Sequence, residues 1–269
     1  MTVNMAEKSE LGARSSGRSQ VVPRTALLAP HAQDPEAKRA FVQRLFTTIA
    51  PRYDRFNRLA SLNLDLRWRR RAVALGQIES GMRVLDVCSG TGDFACLCAQ
   101  RMGGQGLVAG VDFAQAMLRA AVRKSMQAGL AVSWLEGDAQ ALPVRTGTFD
   151  RVVIGFSTRN LSDLRLGILE MLRVLKPQGK LIILETGRPS NPLVRAGYRI
   201  FLATIARLIG LIVTGRVWPF TYLAKSVKGF LTPAQFVALI NDCGAATTYI
   251  PLSGGLASLY IAVKRDTHE

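Results

Sequence analysis

Short apolar runs alternate with helical patterns of apolar positions along most of this chain. The runs are rich in aliphatic residues and are bounded by Gly, Pro, Asp or Ser, which predicts strands. Seven strands are expected, near residues 82–88, 107–112, 131–136, 150–156, 180–186, 246–251 and 257–264. The turn at residues 176–179 is predicted to end a helix and to start the fifth strand at Lys180. The alternation predicts an α/β fold, with a doubly wound, mostly parallel seven-stranded sheet and a C-terminal antiparallel hairpin.

The polar segments divide the chain into regions. Residues 1–36 are polar, rich in Ser and Arg and without a hydrophobic period, so we expect a disordered basic tail. Residues 37–269 are expected to form one domain. Within that domain, residues 37–78 have helical patterning with many arginines, and we expect them to form an N-terminal helical lid.

The region 192–230 is apolar, helical in pattern and interrupted by basic residues. Arg199, Arg207 and Arg216 leave no uninterrupted apolar run of about 20 residues, so a membrane-spanning helix is not expected. Two interpretations remain open: a buried cover over the sheet, and an interfacial helix that faces a membrane. After this region, Thr232 is predicted to cap a further helix.

The chain is strongly basic. It contains 35 Lys and Arg against 19 Asp and Glu, a net charge of +16, together with 48% apolar residues. Such a charge indicates nucleic acid or an anionic membrane as a partner. The basic cluster at residues 67–71 is short and contains one aromatic residue, Trp68, so we favour a lipid surface and expect no nucleic-acid partner.

The cysteines and histidines exclude some chemistry. The four cysteines form no C-x-x-C pair, so no metal site is expected, and a reducing cytosol is the simplest compartment. The two histidines, His31 and His268, lie near the ends of the chain, which disfavours a mechanism that uses imidazole.

The strongest chemical signal is the glycine turn after the first predicted strand. Residues 84–93 read Val-Leu-Asp-Val-Cys-Ser-Gly-Thr-Gly-Asp, and Asp112 ends the next strand. A Gly-x-Gly turn between a strand and a helix lets the backbone approach a nucleotide ligand, and an acid at the next strand tip can hold a ribose diol. Asp86, Gly90, Gly92 and Asp112 are therefore the expected cofactor contacts.

Charge indicates which nucleotide would bind. Asp86 precedes the turn and Asp93 follows it, whereas a pyrophosphate prefers a helix N-terminus without nearby anions. These carboxylates suit the sulfonium and ammonium groups of S-adenosylmethionine. Residues 90–95 also fit the G-x-G-x-x-A dinucleotide fingerprint, so NAD and FAD remain alternatives at this point. Asp138 follows the third strand, where it can accept a hydrogen bond from an adenine amine. The order of elements is that of a class I methyltransferase.

Eight segments between residues 41 and 262 carry a family pattern. They are Phe46–Asn57, Trp68–Arg70, the glycine turn, Gly137–Pro143, Thr158–Asp163, Arg173–Pro177, Glu185 and Tyr222–Val227. The chain thereby resembles the ubiquinone/menaquinone biosynthesis C-methyltransferase family, which implies the class I S-adenosylmethionine-dependent methyltransferase fold. The resemblance implies cofactor contacts at Thr91, Asp112, Asp138, Ala139 and Gly155. The chain differs from the usual family pattern at Gly155, Gln178 and Tyr260.

The resemblance also implies a reaction, the methylation of a ring carbon of a prenylated quinol such as demethylmenaquinol in menaquinone or ubiquinone biosynthesis. Transfer from a sulfonium depends on holding donor and acceptor in line and needs little acid–base machinery. An ionised ring hydroxyl needs stabilisation, for which Arg159 is the first catalytic candidate. From spacing alone, a salt-bridged loop arginine is an equal interpretation. Tyr53 and Asn160 are the other catalytic candidates.

Other functions remain open on the residues alone. A small-molecule O-methyltransferase of secondary metabolism would use the same fold, and an RNA-binding or RNA-methylating protein is a more remote alternative. The expected partners are the prenylated quinol and an anionic membrane, with a homodimer as a possible assembly. We expect a cytoplasmic protein that is peripheral at the inner face of the cell membrane.

Overall fold

The computed structural model describes residues 34–265. Residues 1–33, which are most of the predicted tail, and residues 266–269 lie outside the described residues, as do both histidines. The predicted tail boundary at residue 36 is too late, because the first helix, α1, spans Pro35–Ile49. The side chain of Asp34 accepts hydrogen bonds from the first turn of α1 at 3.0 and 3.1 Å, as a preferred N-cap residue does.

One sheet of seven strands forms the centre of the molecule. The strands are β1 (Arg83–Val87), β2 (Leu107–Asp112), β3 (Ser133–Glu136), β4 (Phe149–Gly155), β5 (Leu175–Thr186), β6 (Ala245–Leu252) and β7 (Ala257–Lys264). Their order across the sheet is β3-β2-β1-β4-β5-β7-β6, and β7 runs antiparallel to both of its neighbours. The predicted strands, the mostly parallel sheet and the C-terminal hairpin are therefore confirmed.

Helices cover both faces of the sheet. After α1 they are α2 (Tyr53–Ser61), α3 (Leu64–Leu75), α4 (Asp93–Met102), α5 (Gln115–Gln127), α6 (Leu164–Val174), α7 (Pro192–Ala203), α8 (Ile205–Thr214), α9 (Trp218–Gly229) and α10 (Pro233–Asp242). Successive strand residues face opposite layers of core: Leu85 and Ile183 belong to one apolar cluster, and Val84 and Ile182 to the other. This double burial explains why the central strands are almost entirely apolar.

The predicted turn before Lys180 lies inside a strand. Strand β5 pairs with β4 at Leu175 and again from Lys180, with a shift of register between the two points. Residues 176–179 thus form a bulge within β5, where Gln178 adopts a φ of 59°. A bulge lets one strand accommodate extra residues without losing its pairing on either side.

The region 192–230 consists of three helices. The backbone of Thr204, with φ −123° and ψ −73°, separates α7 from α8. The helical stretch Pro192–Thr214 has 23 residues and a mean hydropathy of 1.7, and 17% of its apolar window is buried. By length and composition alone it is long and apolar enough to cross a membrane, contrary to the expectation from its arginines.

Helices α8 and α9 pack against the N-terminal helices. The rings of Phe56 in α2 and Phe220 in α9 have centroids 4.1 Å apart. Gly210 in α8 allows this packing, because a Cβ at that position would lie 2.0 Å from the ring of Phe220. Helices α1 and α2 therefore pack together with the region 192–230 near the carboxyl ends of β4 and β5.

Candidate active site

A narrow crevice lies where β1 and β4 end side by side, at the point where the strand order reverses. Ligands of open α/β sheets bind at such a point. Its walls include Asp86 of β1, Asp112 of β2 and Gly155 of β4. Phe46 and Tyr53, from the N-terminal helices, close the crevice and leave about 60 Å³ of free space. We call this space the acidic crevice.

The glycine turn forms the floor of the acidic crevice. Gly90 has a φ of 56°, and its backbone N–H donates to Oδ2 of Asp112 at 2.8 Å. Gly92 has a φ of 83°, and a Cβ there would lie 2.6 Å from the ring of Trp134. Both the positive φ and the close approach require glycine at position 92. The turn is therefore fixed to the tip of β2 and to the sheet beneath it.

Two buried carboxyl groups, those of Asp86 and Asp112, line the crevice. Asp86 accepts a hydrogen bond from the backbone N–H of Ala95 at 2.9 Å, which ties β1 to the start of α4. Burial raises the pKa of Asp86 to about 8 and that of Asp112 to about 6. A bound cation would lower the pKa of both groups and favour their ionised forms, whereas a phosphate anion would raise it further.

This donor set fits S-adenosylmethionine. Its sulfonium and ammonium groups are cationic and it carries no phosphate, so the carboxyl groups that would oppose NAD or FAD favour it. The hydroxyl of Ser89 is also buried in the crevice wall and has no hydrogen-bond partner within residues 34–265.

Asp138 and Ala139 line a small cavity next to the acidic crevice. Cys88, Phe113 and Asn160 belong to the walls of both spaces. One carboxylate oxygen of Asp138 accepts from the backbone N–H of Gln140 at 2.9 Å, and the other lies 3.0 Å from Nε of Arg39 in α1. The predicted adenine acceptor is thus next to the crevice, but it is paired with the first helix in this arrangement.

Helix α2 is attached to the glycine turn by a network of polar side chains, in which the sequence analysis gave Lys124 and Arg58 no role. Lys124 of α5 lies 2.7 Å from Asp54 and 2.5 Å from Asp93. Thr91 donates its hydroxyl hydrogen to Asp54 at 2.5 Å, and Arg58 lies 2.6 Å from Asp93. We call these five residues the ionic clamp. Burial alone would raise the pKa of Asp93, but the nearby Lys124, Arg69 and Arg58 lower it to about 2.

A much larger apolar cavity of about 550 Å³ adjoins the acidic crevice, and we call it the apolar cavity. Tyr53 and Asn160 line both spaces, so they mark the boundary between them. Apolar side chains dominate its walls, and the aromatic ones include Phe56, Trp68, Phe156, Tyr198, Phe201, Phe220 and Tyr222. Side chains from its rim are exposed and apolar, among them Leu59, Leu62, Val194 and Ile205.

The three predicted catalytic residues meet at the apolar cavity. Arg159 is paired with Glu185 at 2.5 Å and donates to the backbone oxygen of Phe156 at 2.6 Å. Its Nε, and Nδ2 of Asn160, are buried without a hydrogen-bond partner among the described residues. Burial raises the pKa of Tyr53, so this phenol stays protonated and can donate a hydrogen bond. The salt-bridged interpretation of Arg159 therefore holds for one side of its guanidinium, while Nε is left to another acceptor.

Comparison with solved structures supports the fold. An S-adenosylmethionine-dependent methyltransferase from Thermotoga maritima, described as a possible histamine N-methyltransferase, is similar with a TM-score of 0.59 and 18% identity, over 82% of this chain and 99% of that one. A SAM-dependent methyltransferase from Aquifex aeolicus has a TM-score of 0.55 and 18% identity, over 72% of this chain and 88% of that one. The predicted class I methyltransferase fold is confirmed.

Comparison with known sequences identifies the family. A demethylmenaquinone methyltransferase from Thermus thermophilus is 40% identical over 217 residues, which are 81% of this chain and 98% of that protein. A protein of the same name from Deinococcus radiodurans is 39% identical over 241 residues, 90% of this chain and 100% of that protein. The model of the ubiE/COQ5 methyltransferase family matches residues 33–264. With its methyltransferase fold and acidic cofactor crevice, this chain belongs to the ubiE/COQ5 methyltransferase family.

Proposed function

We propose that the protein transfers a methyl group from S-adenosylmethionine to a ring carbon of a prenylated quinol, and that it converts demethylmenaquinol to menaquinol. The observation that carries the proposal is the apolar cavity of about 550 Å³, which meets the acidic crevice at Tyr53 and Asn160. A quinol ring at this boundary would lie next to the cofactor, with the apolar walls left for its prenyl chain. The two relatives named demethylmenaquinone methyltransferase support this acceptor.

The acidic crevice would hold the cofactor. S-adenosylmethionine supplies an electrophilic methyl group when it is bound. Asp112 would accept hydrogen bonds from the ribose hydroxyls, and an ionised Asp86 would attract the cationic end of the cofactor. The glycine turn and Thr91 would contact the nucleoside. Asp138 and Ala139 would contact the adenine. Gly155, at the end of β4, leaves space beside the ring of Phe94, because a Cβ at position 155 would lie 3.2 Å from that ring.

The quinol would be activated by side chains that stabilise one of its ring hydroxyls in the ionised form. An ionised hydroxyl would increase electron density at the adjacent ring carbon. That carbon would bond to the methyl carbon as the methyl–sulfur bond breaks to leave S-adenosylhomocysteine, and the ring proton would then be lost to solvent. Arg159 and Asn160 line the apolar cavity, and each has a buried donor without a partner among the described residues, Nε and Nδ2 respectively, that would stabilise this oxygen. Tyr53, protonated because of its burial, would donate a further hydrogen bond. Alignment of donor and acceptor supplies the remaining acceleration.

A prenylated substrate would enter from a lipid bilayer. The exposed apolar residues on the rim of the apolar cavity would contact acyl chains, and the basic side chains of the region 192–230 would contact anionic headgroups. This arrangement supports a cytoplasmic enzyme that is peripheral at the inner face of the membrane. It also favours the interfacial interpretation of that region over a fully buried cover.

An assay with labelled S-adenosylmethionine tests the proposed acceptor. The protein is incubated with demethylmenaquinol, with a demethoxylated ubiquinol precursor and with a water-soluble catechol, and label in each product is counted. We expect label in demethylmenaquinol; label in the benzoquinol alone would move the proposal to ubiquinone biosynthesis. Label in the catechol alone would overturn the proposal in favour of a small-molecule O-methyltransferase.

A further inference from the structure

A second cavity, of about 360 Å³, lies beyond the end of β5 between α7, α8 and α9, and we call it the basic cavity. Six basic residues line it besides Arg159: Arg188, Arg195, Arg199, Arg207, Lys225 and Lys228. The one carboxylate in its wall is Glu185, which is already paired with Arg159. The charge in this cavity is therefore strongly positive and is not balanced by its own walls.

The structure also contains donors that lack acceptors there. Within residues 34–265, no carboxylate forms an ion pair with Arg188, Arg195, Arg199, Arg207 or Lys228. The Nε of Arg207 is buried and has no hydrogen-bond partner among these residues. A buried charged donor without an acceptor is costly, so this guanidinium group indicates an acceptor that comes from outside the chain.

We propose that the basic cavity binds a phosphate group. Guanidinium groups bind phosphate oxygens in pairs of parallel hydrogen bonds, and several arginines around one cavity suit a tetrahedral dianion or diester. The phosphate can belong to a phospholipid headgroup or to a soluble phosphate. The headgroup is favoured, because α7 and α8, which carry Arg199 and Arg207, also expose Leu193, Ile200 and Ile212 to solvent. This proposal does not depend on the identity of the methyl acceptor.

Calorimetric titration in 0.15 M NaCl tests the proposal, since this salt screens diffuse attraction between exposed charges. The probes are inorganic phosphate and monomeric dihexanoyl phosphatidylglycerol, added to the full chain. The variant is Arg207→Gln, and the matched control is Arg216→Gln, which removes an exposed arginine of the same region that does not line the cavity. Arg199→Gln, at an exposed position, is a second test if Arg207→Gln does not fold.

We expect saturable binding by the natural chain, weakened about tenfold by Arg207→Gln and unchanged by Arg216→Gln. Tighter binding of the phosphatidylglycerol than of inorganic phosphate assigns the cavity to a headgroup, and the reverse order assigns it to a soluble phosphate. Absence of saturable binding for both probes overturns the proposal. Equal weakening by the cavity variants and the control also overturns it, because diffuse charge alone then explains the binding.

Discussion

Arg159 uses the two sides of its guanidinium for different purposes. Nη1 is paired with Glu185 and with the backbone oxygen of Phe156, which fixes the turn after β4 to β5. Glu185 is itself buried and also accepts from Thr158 at 2.6 Å and from the backbone of Thr186 at 2.7 Å. Nε has no acceptor in the described part of the chain. We therefore expect Arg159 to position the turn and, separately, to stabilise the ring oxygen of the acceptor.

The substitution Arg159→Lys separates these two roles, because lysine keeps a positive charge for Glu185 and loses Nε. We expect the single-turnover rate of methyl transfer to fall roughly 100-fold, as it does when one preorganised donor to an oxyanion is lost. Affinity for S-adenosylhomocysteine, measured by calorimetry, should stay the same. An unchanged single-turnover rate would remove Arg159 from the reaction.

The glycine turn allows a test of its geometry. We expect Gly92→Ala to lower the free energy of unfolding for two reasons. Alanine at a positive φ costs about 1–2 kcal/mol, and the overlap of its Cβ with the ring of Trp134 costs about 1–3 kcal/mol more. Gly103→Ala is the control, since Gly103 also has a positive φ, 62°, but a Cβ there meets nothing within 4 Å. Urea unfolding of both variants measures the difference. Equal destabilisation would show that the contact with Trp134 is unimportant.

At the scale of elements, the ionic clamp holds α2 over the glycine turn. Asp54 and Arg58 lie in α2, Asp93 begins α4, and Lys124 lies in α5. The clamp therefore connects the predicted lid to the two helices that flank the cofactor crevice. Phe46 and Tyr53 line the crevice, whose free space is about 60 Å³, so we expect the predicted lid helices to move and this network to rearrange when the cofactor enters.

Loss of Lys124 tests the clamp. We expect Lys124→Met to lower the free energy of unfolding by about 1–3 kcal/mol at pH 7, because Asp54 and Asp93 lose a charged hydrogen-bond partner. The exposed neighbour Arg123 provides the control variant Arg123→Met, which should change little. Guanidinium-induced unfolding measures both. Equal stability of the two variants would contradict the clamp.

The clamp also predicts a pH dependence. The pKa of Asp93 in the folded state, about 2, lies below its unfolded value of 3.8, so its stabilisation is complete above about pH 4 and is lost as the pH falls towards 2. Without Lys124 the pKa of Asp93 rises towards its unfolded value, so Asp93 contributes less stability and less acid is needed to unfold the protein. Acid unfolding followed by circular dichroism should have a higher midpoint pH in Lys124→Met than in Arg123→Met.

Local patterns predict the strands and the glycine turn, because aliphatic runs and Gly-x-Gly spacing are visible within about ten residues. The contacts that close the site are not local. Lys124 and Asp93 are 31 positions apart in the chain, and Arg39 and Asp138 are farther apart still, so no period or motif joins them. The bulge at 176–179 was also missed, because its Lys-Pro-Gln-Gly sequence is equally typical of a turn between elements.

At the scale of the whole molecule, apolar exposure is concentrated on one region. Eight of the fifteen exposed large hydrophobic side chains among the described residues lie between Leu193 and Val217, in a chain with a net charge of +16. An apolar surface beside basic side chains is typical of a helix that lies in a membrane interface. The rim of the apolar cavity includes part of this surface, so the proposed substrate entry and the proposed membrane contact would involve the same face.

Vesicle flotation tests this face. We expect the double variant Leu193→Ser/Ile212→Ser to bind phosphatidylglycerol vesicles more weakly than the natural chain, because less apolar area enters the interface. The side chains at these positions are 82% and 73% exposed. Met126→Ser, which replaces a side chain 75% exposed on α5, is the control and should bind normally. Equal binding by all three proteins would show that another surface meets the membrane.

We propose that the protein methylates a ring carbon of a quinol that lies between the acidic crevice and the apolar cavity. The most direct measurement is ¹³C NMR of the product formed from demethylmenaquinol and S-adenosylmethionine with a ¹³C-labelled methyl group. We predict one enriched signal at the shift of a methyl group bonded to an aromatic carbon. An enriched signal at the shift of a methoxy carbon, with none for a ring methyl, would contradict the account.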